Sequence, residues 1–526
     1  MVSLQELQLK ALQNPRETIL QLLGALIAVQ TASWIITVIY RVTFHPLAKF
    51  PGPFLCRISY IYQIYYEAWL NGRMLERLPE LHRKYGSVVR INPNEVHLVD
   101  PNLYHVIYRQ NTLFLKDPYA YKLGAPNSLS MSLDPVKHKR RKELLNPCFS
   151  KRRVHLLQHI MYEEMQKVFE KLSAAAESEQ AVPIQDAYYC YTGDIISRYL
   201  FGKSLKLIEQ ANFAKETVDQ LRSFTSGIWV SIHISLIRVL IMAMPRSMAT
   251  IFASGWMKIV WFCESLAGES IKEHGSHGTL EKDIGQETIF DRMLNGNVTK
   301  GTHRAVGFQD LADEGASLLV AGTETTATTM AYATYYMLLY PEKRQKLLEE
   351  IATVERDADG RLSLQKLDML PYLNGVIKET LRYTNGVPGR LTRVVPRGGL
   401  FIPELNDHVP EGCVVGISHN AIHFNPDIFE NPYEFRPERW LGDKGKGLDH
   451  WFLAFSKGSR DCIGKTLAIA EVQIMIANLF TTFDLELLPG HAEDMEILDR
   501  VIVHSRRNLK VRMKSRKIEN GAVGDN

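Results

Sequence analysis

A cysteine near the C-terminal end of the chain has neighbours that would make its sulfur a ligand. Cys462 lies in the run Phe455-Ser-Lys-Gly458-Ser-Arg460-Asp-Cys462-Ile-Gly464, directly before a predicted helix that extends to Phe480. At a helix N-terminus the helix dipole and nearby amide N–H groups favour a thiolate over a thiol. Gly458 and Gly464 permit a tight loop and the close approach of a large ligand. The run therefore favours a thiolate over an inert buried thiol.

A second segment could hold a small molecule against a helix. Ala321-Gly322-Thr323-Glu324-Thr325-Thr326 lies within an apolar-periodic stretch from Phe308 to Tyr340, which Pro341 ends. Ala321 and Thr325 are four residues apart and share one helical face, and Gly322 beside them removes side-chain bulk. Threonine and glycine in a helix often mark only a kink or a packing contact, so this run is a weak signal by itself.

Charged residues further along form a third pattern. Glu379-Thr-Leu-Arg382 places two opposite charges on one helical face, and Arg439 follows in Phe435-Arg-Pro-Glu-Arg-Trp440. Alone, such a pair is a commonplace surface ion pair.

Together these segments resemble the cytochrome P450 family. The cysteine run matches the family's haem-ligand loop, F-x-x-G-x-R-x-C-x-G, at every specified position, which chance would produce with a probability on the order of 10⁻⁴. The helical run is similar to the family's oxygen-binding A-G-x-[DE]-T-T pattern. The resemblance covers nearly the whole chain from Pro51 to the C-terminal strands and implies a mainly α fold with a small β region. It also implies haem b as cofactor, with O₂ and NADPH-derived electrons as co-substrates.

The resemblance assigns roles to individual residues. Cys462 would be the axial ligand of the haem iron, whose electron donation promotes O–O cleavage, with Phe455 packed beside the sulfur. Thr325 would hydrogen-bond dioxygen in the space beside Ala321 and Gly322, while Glu324 would help to deliver protons. The remaining assignments are haem propionates for Arg460 and Arg393, and a buried cluster that supports the fold and haem incorporation for Glu379, Arg382 and Arg439. Val387 and Pro388 are expected substrate contacts, by analogy of fold alone.

The basic run Lys137-His-Lys-Arg-Arg-Lys142 has three interpretations: a nucleic-acid or nuclear-localisation patch, a solvated helix face, and a docking surface for an acidic reductase. A membrane span argues against the first. In the third interpretation, His138 and Lys142 occupy the positions where the family has a W-x-x-x-R pair that reaches a propionate. The sequence departs from the family there.

Composition and hydropathy define the setting of the chain. Its net charge of +4 is too small to indicate a nucleic-acid partner, and its six scattered cysteines form no C-x-x-C pair. Residues 18–40 contain no charge and are long enough to cross a bilayer. We expect a tail at 1–17, this anchor at 18–40, a proline-rich hinge at 41–53, a catalytic domain at 54–513 and a tail at 514–526. A second apolar stretch, Gly227 to Met244, favours a surface or substrate-channel helix over a second span, because a central arginine is costly in hydrocarbon.

The sequence predicts a single-pass protein of the endoplasmic reticulum membrane with a cytosolic catalytic domain. Its expected activity is NADPH-dependent insertion of one oxygen atom into an apolar organic substrate. Electrons would come from NADPH-cytochrome P450 reductase, with cytochrome b5 as an optional second donor. Resemblance to members from filamentous-fungal natural-product pathways implies a terpenoid, polyketide or alkaloid substrate. The alternatives are a reductase-independent haem-thiolate isomerase, dehydratase or peroxygenase, and a membrane-bound haem sensor without turnover.

Overall fold

The structure is a computed structural model that describes residues 15–121, 124–177, 180–245, 248, 254–277, 287–296 and 306–516. Most of the N-terminal tail and most of the C-terminal tail expected from the sequence therefore lie outside the described residues. The chain is mainly α with a small β region, as the sequence predicts.

The α-helices are numbered in chain order. The N-terminal ones are α1 Pro15–Ile39, α2 Phe54–Ile58, α3 Ile61–Ile64, α4 Met74–Tyr85, α5 Pro101–Ile107, α6 Pro135–Leu145, α7 Lys151–Leu156, α8 Gln158–Glu177 and α9 Ile184–Phe201. The central ones are α10 Lys215–Ser226, α11 Ile228–His233, α12 Ser235–Ala243, α13 Ser254–His277, α14 Ile289–Asn295 and α15 Phe308–Leu339. The C-terminal ones are α16 Pro341–Ala352, α17 Leu364–Asp368, α18 Pro371–Thr384, α19 His419–His423, α20 Gly442–Leu448, α21 Lys465–Thr482 and α22 His491–Asp494.

The strands form one mixed sheet and three short pairs within the described residues. They are β1 Val88–Asn92, β2 Glu95–Leu98, β3 Leu115–Lys116, β4 Arg393–Val394, β5 Leu400–Ile402, β6 Asp407–Val409, β7 Val414–Gly416, β8 Phe483–Leu487, β9 Ile497–Arg500, β10 Ile502–Ser505 and β11 Val511–Ser515. The mixed sheet has the order β1-β2-β7-β4-β3, in which only β2 and β7 run parallel.

Sequence patterns located one hairpin correctly and misplaced another. The β-rich runs Ser87 to Ile91 and Glu95 to Val99 flank Asn92-Pro93-Asn94 and predict a hairpin. This hairpin is confirmed, because β1 and β2 pair antiparallel across it. The sequence also predicts that Phe483–Leu487 pairs with a strand from Val501 to Val511, and this is wrong. Residues 502–505 turn back on β9, whereas β8 pairs with β11. Strand β10 is buried throughout and β11 is buried at alternate residues, and both patterns predict a strand without indicating its partner.

Helix α15 forms the axis of the main core. Its residues pack against α9, α13, α18 and α21, and the predicted helix from Phe308 is confirmed over a length of 32 residues. A second apolar cluster lies beneath the mixed sheet and includes Leu47 and Phe50 of the hinge. The two clusters hold the cysteine loop and the middle of α15 in fixed positions.

The N-terminal helix stands apart from the body. None of the residues of α1 is buried, and the segment Pro15–Phe44 is long and apolar enough to cross a membrane by length and composition. Arg90 ties the following hinge to the sheet: its guanidinium donates to the carbonyl oxygens of Arg41 at 3.0 Å, Leu47 at 3.3 Å and Pro93 at 2.9 Å. A fully buried side chain thereby fixes where the anchor leaves the body.

Candidate active site

A cavity of about 1050 Å³ lies between the middle of α15, the cysteine loop, strand β4 and helix α11. It brings together segments that are far apart in sequence: Ala321 and Thr325, Arg393, and Cys462 all line its wall. Most of the remaining wall is apolar. A cavity of this size, with few convergent polar groups, suits a large, mostly apolar ligand.

The cysteine loop is held in shape by its backbone. The N–H of Cys462 donates to the carbonyl of Phe455 at 2.9 Å, and both residues line the cavity. Gly458 has φ = 76°, and a Cβ there would lie 2.1 Å from the carbonyl oxygen of Tyr108, so only glycine fits. Gly464 differs, because its φ is −82° and a Cβ would meet nothing closer than the Cys462 sulfur at 4.0 Å.

The sulfur of Cys462 faces the cavity. The residue is exposed and forms part of the cavity wall. Burial raises the pKa of its thiol, although N–H groups of Gly464 and Lys465 act in the opposite direction. In the protein alone burial thus outweighs the helix N-terminus that the sequence analysis invoked. A metal cation at the sulfur would supply the missing charge, since a coordinating thiol is deprotonated outright.

Three cationic side chains gather on another part of the wall: Arg393, Arg460 and Lys116. Arg460 donates to the carbonyl of Ser132 at 2.7 Å, Arg393 donates to the carbonyl of Thr392 at 2.9 Å, and Lys116 donates to the carbonyl of Ser130. Burial lowers the pKa of Arg460 to about 10, with Arg393 acting in the same direction. Burial, Arg393 and Arg460 also hold the pKa of Lys116 well below its usual value.

These cations fit a dianionic ligand. Among the residues that the structure describes, none of the three forms an ion pair with a carboxylate. Uncompensated buried cations are costly, so a ligand that brings two carboxylates would stabilise them. A haem carries two propionates and an iron that accepts a thiolate. The donor set of this cavity therefore fits haem.

His138 and Lys142 are separated by the structure. His138 lines the cavity beside the cations, and burial, with Arg460 next, lowers its pKa to about 3, so the ring is neutral. Lys142 instead pairs with the carboxylate of Asp461 and donates to the carbonyl of Ser459 at 2.9 Å. It does not belong to the cavity wall. The structure thus brings only His138 to the place where a propionate contact is expected, because Asp461 engages Lys142 on the other side of the loop.

The middle of α15 presents one small face to the cavity. Ala321, Gly322 and Thr325 line it, and the hydroxyl of Thr325 donates to the carbonyl of Ala321 at 2.8 Å. Room for dioxygen beside Gly322 stays a prediction, and the packing of α15 gives a further reason for glycine at this position. A Cβ there would lie 2.8 Å from Cγ1 of Ile196, so Gly322 permits the close packing of α15 on α9.

Glu324 points away from the cavity. Its carboxylate is fully buried behind the wall, where Oε1 accepts from the hydroxyl of Thr225 at 2.9 Å and lies 2.8 Å from Nε2 of His504. The hydroxyl of Tyr189 donates to the same oxygen at 3.3 Å. Proton delivery by Glu324 stays a prediction, and it requires the carboxylate to leave His504.

Glu379, Arg382 and Arg439 form one buried cluster away from the cavity. Arg382 binds Glu379 through two N–H groups at 3.0 and 2.9 Å, and Nε of Arg439 donates to the same carboxylate at 2.9 Å. Nε1 of Trp440 adds a further hydrogen bond at 2.9 Å. Because every carboxylate oxygen has partners, the buried charges compensate each other.

Sequence reasoning missed one cation of the cavity. Lys116 belongs to a two-residue strand within no motif, and only its pairing with β4 brings it beside Arg393. Trp229 lines the cavity from the stretch for which the sequence favours a surface or substrate-channel helix. Val387 lies on the wall as expected, whereas Pro388 is buried behind it.

Comparisons with known proteins agree with this geometry. The family model described as Cytochrome P450 matches residues 51–513. The chain is similar to the cytochrome P450 monooxygenase BOT1 of Botryotinia fuckeliana, at 32% identity over 91% of this chain and 93% of the relative. It is also similar to the cytochrome P450 monooxygenase ankB of Aspergillus thermomutatus, at 33% identity over 88% and 87%. A third relative, conidiogenone synthase PchP450 of Penicillium rubens, is 33% identical over 87% of this chain and 91% of its own.

Proposed function

The chain belongs to the cytochrome P450 family and is a monooxygenase, and we propose that it inserts one oxygen atom from O₂ into an apolar secondary metabolite with electrons from NADPH through a separate reductase. One observation carries the proposal. A single apolar cavity is lined by the Cys462 sulfur, by Thr325 and by three cations that have no carboxylate partner among the described residues.

We propose that these residues hold haem b. Cys462 would ligate the iron, and Arg393, Arg460 and Lys116 would bind the propionates with the neutral His138 beside them. Phe455, Gly458 and Gly464 would shape the loop around the sulfur. When bound, a thiolate-ligated haem supplies the chemistry that activates dioxygen for insertion.

The protein's own groups would then position the reactants and move protons. The Thr325 hydroxyl donates its one hydrogen bond to the Ala321 carbonyl in this structure. By rotating, it can direct the same O–H group into the cavity. Glu324, one residue away, is the buried carboxyl that can resupply the proton by turning from His504. The apolar wall excludes water and so favours bound substrate over hydration.

The relatives support the substrate class. One of them is named conidiogenone synthase, and others are named as monooxygenases of fungi. We propose a terpenoid, polyketide or alkaloid substrate for this chain. The wall is predominantly apolar, which fits a molecule with few polar groups.

The arrangement around the membrane follows from the same proposal. Residues 18–40 would anchor the chain in the endoplasmic reticulum membrane, residues 41–53 would form the hinge, and residues 54–513 would be a cytosolic catalytic domain. The basic run from Lys137 to Lys142, with Lys457 and Lys465, would dock NADPH-cytochrome P450 reductase, because complementary charge raises the encounter rate. Cytochrome b5 could use the same surface.

A carbon monoxide difference spectrum tests the haem ligand. The full chain is expressed in microsomes, reduced under carbon monoxide and compared with Cys462→Ala. We expect a red-shifted, thiolate-type Soret band that the variant loses. A folded protein without this band, or a band that survives loss of the cysteine, would contradict the proposal.

A second experiment separates the monooxygenase from its alternatives. Candidate substrates are incubated with NADPH, with and without reductase, and in parallel with hydrogen peroxide alone. Product that requires both NADPH and reductase supports the proposal. Product formed without either would favour an isomerase, dehydratase or peroxygenase instead.

A further inference from the structure

The roof of the cavity is the short helix α11. Ile228, Trp229 and Ile232 face inward and line the cavity. These three residues form a small apolar cluster of their own with Ala68, Tyr119 and Val501, separate from the main core around α15. Segments that pack against few apolar neighbours open more readily than core helices. The roof therefore depends on its polar contacts.

Three hydrogen bonds fasten the roof to neighbouring segments. Nε2 of His233 donates to Oε2 of Glu67 at 2.8 Å, and the hydroxyl of Tyr119 donates to Nδ1 of the same ring at 2.8 Å. Nε1 of Trp229 donates to the carbonyl of Asp499 at 2.7 Å. The Trp229 and His233 rings lie parallel, with 5.9 Å between centroids. The hydrogen bonds of these two side chains therefore support each other.

Glu67 is held in place by partners other than His233. Arg390 pairs with both Glu67 and Glu95, the latter at 2.6 Å, and Gln63 donates to Glu67 at 3.0 Å. Burial alone would raise the pKa of Glu67, but Arg390 and His233 outweigh it and hold that pKa below its usual value. Because Glu67 also binds Arg390 and Gln63, its carboxylate stays paired when the contact to His233 breaks.

The outer side of the roof is apolar. Leu236, Val239 and Leu240 of the next helix are 64%, 57% and 50% exposed, and Trp69, two residues after Glu67, is 81% exposed. Ile237 both lines the cavity and is 38% exposed, so the cavity reaches the surface beside the roof. A roof that opens here would connect the cavity to an apolar surface.

We propose that His233, held by Glu67 and Tyr119, is a positioning residue that controls the access of large apolar ligands to the cavity. This inference rests on the proposed function only for the identity of the ligand. Small ligands enter the cavity beside the closed roof, whereas large ligands enter only after the His233–Glu67 contact breaks. His233 thereby selects ligands by size.

The test uses the full-length protein in lipid nanodiscs. His233→Phe keeps the ring volume but removes both hydrogen bonds, and Glu67 remains paired with Arg390 and Gln63. Trp229→Phe removes the contact to Asp499. His155→Phe is the matched control, because it breaks a comparable contact to Asp368 at 3.0 Å on α7, which does not line the cavity.

Two measurements are made on each protein. Hydrogen exchange reports the opening of residues 228–233, and stopped-flow Soret shifts report the binding of imidazole and of N-dodecylimidazole. In His233→Phe we expect exchange and the N-dodecylimidazole binding rate to rise about tenfold, since one lost hydrogen bond to a charged group changes an opening equilibrium by that order. Both should rise less in Trp229→Phe, because its lost hydrogen bond is to the neutral Asp499 carbonyl. The imidazole rate and the control should match the unsubstituted protein.

Three results would overturn the inference: unchanged exchange in His233→Phe, increased exchange with an unchanged N-dodecylimidazole rate, and equal effects in His155→Phe. A protein without a haem band would contradict the proposed function instead. The exchange measurement would still decide whether His233 fastens the roof.

Discussion

Nε2 of His504 lies 2.8 Å from Oε1 of Glu324, and both side chains are fully buried behind the cavity wall. Among the residues that the structure describes, neither the other carboxylate oxygen of Glu324 nor Nδ1 of His504 has a hydrogen-bond partner. Burial lowers the pKa of His504, while Glu324 acts in the opposite direction. The pair thus holds a carboxyl group next to Thr325 but turned away from it.

A double-mutant cycle measures this pair. We expect His504→Phe alone to cost about 3 kcal/mol of unfolding free energy, because breaking a buried pair leaves an uncompensated charge. Adding Glu324→Gln should recover at least about 1 kcal/mol of that loss. Urea unfolding of the four proteins provides the values. Strictly additive effects would show that the two side chains do not interact.

The same variants test proton delivery once a substrate is known. Glu324→Gln should lower product formation roughly 10²-fold, because a positioned acid contributes at least that factor. Electrons that do not reach product should leave as hydrogen peroxide, so the peroxide formed per NADPH should rise. Unchanged product and peroxide would assign Glu324 a purely structural role.

The two glycines of the cysteine loop should differ sharply on substitution. Gly458→Ala forces a Cβ to within 2.1 Å of the Tyr108 carbonyl at φ = 76°, so the loop cannot close and the carbon monoxide band should be lost. Gly464→Ala is the matched control, because its φ is ordinary and its nearest neighbour is 4.0 Å away. It should fold and retain the band. Equal behaviour of both variants would contradict this account.

Lys116 and Lys142 provide a matched test of the propionate site. Lys116→Met removes a cation from the cavity wall and should weaken haem retention about tenfold, the effect of roughly 1.4 kcal/mol. Lys142→Met removes a cation that does not line the cavity and already pairs with Asp461, so it should change haem retention little. Transfer of haem to apomyoglobin measures both. A larger effect of Lys142 would place the propionates on the other side of the loop.

The buried His423 should make stability depend on pH. Nδ1 of its ring donates to the carbonyl of Arg382 at 3.1 Å, and Nε2 accepts from the N–H of Leu453 at 2.9 Å, so only the neutral ring fits. Burial, with His419 next, holds its pKa well below 6.5. Below pH 6.5 the unfolded chain therefore binds more protons than the folded one, and stability falls as the pH falls.

A comparison with His423→Asn isolates this contribution. The buried carboxyls of Glu95 and Asp499 have pKa values raised to about 7, chiefly by burial, and act in the opposite sense in both proteins. The stability difference between wild type and variant should shrink by about 1.4 kcal/mol for each pH unit below 6.5. Thermal unfolding of both proteins between about pH 5 and 7 measures this stability difference. A difference that does not change with pH would mean that His423 titrates normally.

The sequence alone determined the local features of this protein. The cysteine loop, the small face of α15 and the hairpin at Asn92 depend on residues close together in the chain, where glycine, proline and periodicity act directly. The anchor is equally local, because a long uncharged apolar segment is sufficient to predict it.

Only the tertiary structure decided which distant groups meet. In the folded chain Lys116 lies beside Arg393, and Glu324 pairs with His504. Lys142 pairs with Asp461, and β8 pairs with β11 instead of β10. Each of these contacts depends on the burial of charge or apolar surface between segments that lie far apart in the sequence. The free energy of burying a charge depends on which partner it finds, and a sequence pattern does not encode that partner.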